Sequence, residues 1–228
     1  MSRFSFGGEA LAETESQAAA VVLTRDILSG ALPPNGKLKV RDLSVRYEIG
    51  PTPLREALSR LAARGLVEQQ GQRGFRVPPV TREHLLDITR TRQIVEAEAF
   101  RLAIEHGGRA WEDDVSASLL ILRRASERHE PTEEWLDAYE ERHHRFHRAL
   151  IAACPYATLR GFCDELYEQK TRYRRFLRSL GGPQDGVIAM HQRLADRALA
   201  RDAAGGMAEI AAHIGTTAHS LLAILDAT

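Results

Sequence analysis

The 228-residue sequence predicts a mainly α chain in two parts, a small three-helix unit ending in a hairpin and then an all-helical bundle. Three observations predict it. Strand-like alternation is confined to "LVEQQGQRGFRV", Leu66 to Val77, where it surrounds two glycines. After Pro79 the apolar residues recur at helical spacing, broken only at Gly107-Gly108, Pro131, Pro155, Gly181-Gly182-Pro183 and Gly205-Gly206. Charge divides at the same place. Ser16 to Val80 carries 10 Lys+Arg against 5 Asp+Glu, whereas Thr81 onward carries 20 against 23, within a chain of zero formal net charge.

Taken in order, residues 1–15 read as a flexible tail. The first unit, 16–79, opens with a helix over 16–29, whose stripe is Val22, Leu23, Ile27 and Leu28 and whose stop is Gly30. "ALPPNGKL" cannot be helical and reads as a turn leading to Leu38. A second helix spans 40–47. After the break "EIGP" a third runs from Thr52 to Arg64-Gly65, where glycine supplies a left-handed stop. A two-stranded hairpin turning at Gly71 to Gly74 follows, and Pro78-Pro79 closes the unit. The second unit, 80–228, contains helices near 81–106, 111–128, 132–153, 156–180, 185–202 and 205–226.

Composition narrows the functional classes. An apolar fraction of 43 % and a charged fraction of 27 % suit a soluble globular protein. No apolar run reaches the ~18 residues of a membrane span, and the first residues lack a signal-peptide core, so a cytoplasmic protein without a membrane partner is expected. Cys154 and Cys163 form no CxxC pair, which predicts reduced thiols.

Two short helices meeting at a tight turn before a hairpin are the outline of a winged helix-turn-helix. Its recognition helix must bury one face and present polar and cationic groups on the other. Leu54, Ala57, Leu58 and Leu61 supply the buried face. Thr52, Arg55, Glu56 and Ser59 occupy other faces near the helix start, and Arg55 suits a guanine edge. Arg60 and Arg64 are better placed for phosphates. At the hairpin tip, Arg73, Gly74 and Arg76 fit close approach to a minor groove. The basic balance of this unit points the same way, toward double-stranded DNA.

The stretch Ile27 to Val77, with its T-P-x-R-E-A-L-x-x-L core followed by G-L-V and R-G, resembles the DNA-binding domain of the GntR family of bacterial transcription regulators. Where the family has Gly-Val-Ser-Arg before Thr-Pro, this chain has Glu48-Ile49-Gly50-Pro51. The capping serine and one DNA-facing arginine are therefore missing. Gly50 still serves as an N-cap and Pro51 suits a first helical turn.

In the second unit, His143 and His147 lie at i and i+4 on the stripe Leu136, Tyr139, His143, Phe146/His147, Leu150. The stripe near 185–202 contains His191, and that of the last helix contains His213. Four imidazoles from three helices thus point to one interior. Hydrogen-bonded core histidines and a shared metal ion both explain such a pattern.

The bundle is similar to the FCD effector-binding domain of the FadR branch of GntR regulators, over most of residues 81–222. Arg92 and Glu96 match its Arg-x-x-x-Glu, "HHRFH" matches its D-x-x-F-H, and His191 and His213 match its paired histidines 22 residues apart. The resemblance implies a divalent metal holding a small organic acid. His143, however, stands where the family has aspartate. An all-imidazole set of His143, His147, His191 and His213 turns the expectation toward Zn or Ni. Glu140 could instead reach in as a carboxylate, or the histidines could meet the effector directly. Arg92 faces inward, with either Glu96 or an effector carboxylate as its partner. The cluster "TRYRRFLR", Arg172 to Arg178, reads as a solvated helix face, with one arginine turned inward toward the pocket as the alternative.

The expected protein is a ligand-responsive transcriptional regulator, acting as a homodimer on operator DNA and answering to a small carboxylate or sugar acid. The alternatives are a metal-dependent enzyme of small carboxylates and a DNA-binding protein without effector. Against the enzyme, no nucleophile is paired with a base, and Glu140 is the one candidate general base.

Overall fold

A computed structural model describes residues 14–71, 74–127, 132–178 and 187–227. Residues 1–13 of the expected tail and Arg73 of the expected wing lie outside them. The chain divides into two compact units at the Pro79–Val80 bond.

The first unit is a winged helix-turn-helix built from α1 (Glu15–Ser29), β1 (Lys37–Leu38), α2 (Val40–Tyr47), α3 (Pro51–Ala63), β2 (Glu68–Gln69) and β3 (Phe75–Arg76). Thr14 starts α1 with a capping box, its hydroxyl accepting from the Gln17 amide while the Gln17 side chain accepts from the Thr14 amide. Gly30, at φ +84°, ends the helix. Gly50 precedes α3 without a side-chain cap, and Pro51 occupies its first turn. Leu54, Ala57, Leu58 and Leu61 of α3 join Leu23, Ile27, Leu38, Leu43, Leu66 and Val77 in one core.

Two features differ from expectation. The wing has three strands, in the order β1-β3-β2, because Lys37 and Leu38 pair antiparallel with Arg76 and Phe75. Two residues are too short for an alternation pattern, and "ALPPNGKL" therefore shows only its turn. The second feature is Asp26. It is buried, and its carboxylate accepts from Tyr47 Oη at 2.6 Å and from Arg46 Nη2 at 3.0 Å, tying the end of α1 to the end of α2. Burial and this carboxylate push the Tyr47 hydroxyl up to about 12.

The second unit is all-helical among its described residues: α4 (Arg82–His106), α5 (Arg109–Glu127), α6 (Glu133–Ile151), α7 (Ala157–Arg178), α8 (Val187–Leu199) and α9 (Ala203–Asp226). Thr81, Thr132 and Asp202 cap α4, α6 and α9 through their side chains. Helix α8 ends at Leu199, short of 202, because Arg201 turns to φ +56° and Asp202 begins the next helix. Helix α4 packs along α9 and α7, α5 along α6 and α8. Phe100, Leu122, Phe146, Leu150, Leu194 and Ile210 fill the space between them. At Gly206 of α9 a Cβ would lie 2.6 Å from Ile104 Cδ1, so any larger residue there requires the Ile104 side chain to shift. Helix α9 packs along α4, and His213 lies on its buried stripe with Ile210, Ile214 and Leu221.

Asp26→Ala leaves the Tyr47 hydroxyl and the Arg46 guanidinium without this acceptor. A loss of about 2 kcal/mol is expected, read from urea unfolding followed by far-ultraviolet circular dichroism.

Candidate functional site

The four histidines converge. His143 and His147 come from successive turns of α6, His191 from α8 and His213 from α9, and they are 3, 5, 0 and 6 % exposed. Their ring centroids form a closed circuit, with 4.7 Å from His143 to His147, 5.2 Å from His147 to His213, 4.7 Å from His213 to His191 and 4.7 Å from His191 to His143. One nitrogen from each ring can be chosen so that all four lie within 4.8 Å of one another. Phe146 closes one side, edge-on to His147 and His191.

Hydrogen bonding accounts for part of this cluster. His143 Nε2 lies 3.0 Å from His191 Nε2, and His143 Nδ1 bonds the Tyr167 hydroxyl. His147 is different: neither of its ring nitrogens, both buried, has a hydrogen-bond partner among the described residues. A buried imidazole left so costs free energy that a bound cation would recover. Its pKa is held well below the ordinary 6.5, first by burial and then by His213, His191, Arg92 and Lys170. It is therefore neutral, the form in which imidazole ligates metal. The donor set fits a divalent ion that accepts nitrogen ligands.

Glu140, the alternative carboxylate, is buried on α6 yet is not a member of the four-histidine group. Arg92 and Glu96 are both buried on α4 and form a two-pronged ion pair, Nε to Oε1 at 2.5 Å and Nη2 to Oε2 at 3.2 Å. The Arg92 guanidinium also lies over the Tyr167 ring, 5.5 Å from its centroid. Through that ring, whose hydroxyl bonds His143, Arg92 borders the cluster, and its charge is among those that lower the His147 pKa.

The expectation for "TRYRRFLR" needs correction at its start. Arg172 is not solvated; it is 2 % exposed and lies 5.4 Å from the Tyr173 ring centroid, and Lys170 and Thr171 beside it are buried too. Counting charges in the segment suggests a surface, but α7 is covered around its circumference here. Sequence reading also passed over Tyr167 and Lys170. Their signal was present, since Cys163, Leu166, Tyr167 and Lys170 repeat at the spacing of one buried face.

In the first unit, Thr52, Arg55, Glu56 and Arg60 of α3 are exposed. Arg60 Nη2 donates to Ser16 Oγ at 3.3 Å, which leans that side chain toward α1. Gly74 takes φ +93° at the end of the wing turn. Arg76 is engaged along the sheet, by Glu68 Oε2 at 2.6 Å and Asn35 Oδ1 at 3.1 Å. Among the described residues, no helix is long and apolar enough to cross a membrane.

Comparison with known proteins agrees with both units. Residues 15–77 match the bacterial regulatory proteins of the gntR family, and residues 87–216 match the FCD domain. The HTH-type transcriptional regulator BphR of Paraburkholderia xenovorans (strain LB400) is 39 % identical over 183 residues, covering 79 % of this chain and 74 % of that protein. The HTH-type transcriptional repressor GlaR of Escherichia coli (strain K12) is 38 % identical over 187 residues, covering 80 % and 84 %. Among solved structures, E. coli McbR/YncC superposes with a TM-score of 0.78 at 22 % identity, over 92 % of this chain and 97 % of that one. That likeness bears on the fold alone.

The neutrality of His147 has a consequence for the metal-free chain. Unfolded, this imidazole titrates near 6.5; folded, it resists the proton to lower pH. Below about pH 6.5 the unfolded state therefore binds the extra proton, and stability falls as pH falls. The expected slope is up to ~1.4 kcal/mol per pH unit for this one group. Urea midpoints of metal-free protein across that range check it, and His147→Asn flattens the dependence.

Proposed function

The chain belongs to the GntR family of DNA-binding transcriptional regulators and carries an FCD domain behind its helix-turn-helix unit; from that premise we propose that its bundle senses a small organic acid at a divalent metal held by His143, His147, His191 and His213. The observation that carries this reading is His147, buried and neutral among three other imidazoles with both nitrogens unbonded. A donor set made only of imidazoles favours Zn²⁺ or Ni²⁺ over the oxygen-preferring Mn²⁺ and Mg²⁺. When bound, such an ion supplies Lewis-acidic positions for a carboxylate oxygen.

The chain's own residues select an anion. None of the four ligands is a carboxylate, so the donor set offsets none of the ion's double charge. Arg92 and Lys170 add positive charge close to the cluster, each over the Tyr167 ring. A small carboxylate or sugar acid meets that excess. Arg92, now engaged by Glu96, offers a planar fork to a second anionic group, for which the ligand competes with Glu96.

On DNA, α3 enters the major groove, with Thr52, Arg55 and Glu56 toward base edges and Arg60 toward a phosphate. The wing, Arg73, Gly74 and Arg76, lies along the neighbouring groove. One short recognition helix reads few bases, so the regulator works as a homodimer on paired half-sites. Ligand and operator then influence one another through a coupling free energy of about 1–3 kcal/mol.

Metal analysis of tag-free protein tests the first half of this reading. About one Zn or Ni per chain is expected, with loss of the metal in His147→Ala; a parent chain that stays metal-free after incubation with either ion contradicts it. For the second half, Arg55→Ala should weaken operator binding by about 1–3 kcal/mol and relax preference at one base pair. Fluorescence anisotropy on genomically selected operator fragments measures both.

A further inference from the structure

Tyr167 borders the histidine cluster, and its hydroxyl has been given no role so far. It is buried on α7, and its hydroxyl bonds Nδ1 of His143. The opposite nitrogen of that imidazole, Nε2, is the one that faces His191. A neutral imidazole carries a single ring proton, so the partner of one nitrogen decides whether the other keeps a lone pair. Metal-ligating histidines as a rule donate their second N–H to an acceptor, which fixes both tautomer and ring plane.

The Tyr167 ring is itself well held. His144 stacks on it with centroids 4.2 Å apart and planes 9° from parallel. The Arg92 guanidinium lies 5.5 Å from its centroid and the Lys170 ammonium 5.2 Å. Contacts on the ring leave the hydroxyl as a fixed point at the edge of the histidine cluster. His143 is the ligand that needs one. Its Nδ1 meets the Tyr167 hydroxyl while its Nε2 faces His191, so the two nitrogens have different surroundings. An imidazole in that place has two inequivalent nitrogens and only one usable orientation.

We infer that Tyr167 is a positioning residue for the metal site: its oxygen accepts the Nδ1–H of His143, turns the Nε2 lone pair toward the other three histidines, and thereby sets the affinity for the divalent ion. This rests on the metal reading above. It also separates His143 from the other ligands, because its affinity contribution depends on a hydroxyl one helix away.

The test measures Zn²⁺ affinity of the full chain by competition with a chromophoric chelator, for the parent, Tyr167→Phe, His143→Ala and the double variant. Tyr167→Phe keeps the ring and its stacking, and melting temperatures show whether each variant is folded. The expected loss for Tyr167→Phe is about 10- to 100-fold in the parent background and less than about twofold once His143 is absent. A second readout needs no metal. Long-range ¹H–¹⁵N spectra of the metal-free parent should show His143 protonated at Nδ1, and those of Tyr167→Phe a mixture of tautomers. Parent-like Zn²⁺ affinity in Tyr167→Phe, or an equal loss with and without His143, overturns this inference alone. A parent chain without measurable Zn²⁺ affinity overturns the metal reading and this inference together.

Discussion

Four imidazoles that share one apolar interior at ring separations near 5 Å each carry nitrogens whose burial is costly without a partner, and the site turns on that constraint. Helix α6 contributes two rings one turn apart. Helices α8 and α9 then bring His191 and His213 to those rings to complete the circuit. Helix α9 packs along α4, with Gly206 close to the Ile104 and Phe100 side chains, and carries His213 on the same buried stripe. Hydrogen bonds through Tyr167 and between His143 and His191 provide for part of the cluster. His147 is left over, and a cation resolves it without adding a protein donor.

The same constraint shapes the charge around the site. Neutral ligands leave an incoming divalent ion uncompensated, and Arg92 and Lys170, whose charges act on His147, increase the imbalance. Glu96 holds Arg92 in check, but as an ion pair between two buried groups its net contribution to stability is small. Such a pair is suited to exchange one carboxylate for another. An anion is thus accommodated at modest cost, because the group it displaces has the same chemistry. The first unit has its own buried carboxylate, Asp26, which holds α1 against α2 and so sets the frame on which α3 is presented.

Much of this was legible in the sequence, for identifiable reasons. The histidines were readable because helical spacing places each one on an apolar stripe, and stripes of one bundle face a common interior. Arg92 was readable by the same logic. Strand β1 was not, since its two residues carry no period and become a strand only when Phe75 and Arg76 lie beside them. Arg172 follows the alternative of one inward arginine: a run of cations suggests a surface, whereas α7 is buried from Lys170 to Tyr173. Tyr167 was overlooked for a further reason. Its role depends on a hydroxyl reaching a particular nitrogen of another helix, and no one-dimensional pattern encodes that meeting.

X-ray absorption at the zinc edge of the full-length, metal-loaded chain tests the central claim most directly. The account predicts a first shell of nitrogen or oxygen near 2.0–2.1 Å, with the outer-shell scattering of four imidazole rings, and loss of one ring in His143→Ala. A shell containing sulfur, or fewer than three imidazoles in the parent, would contradict it.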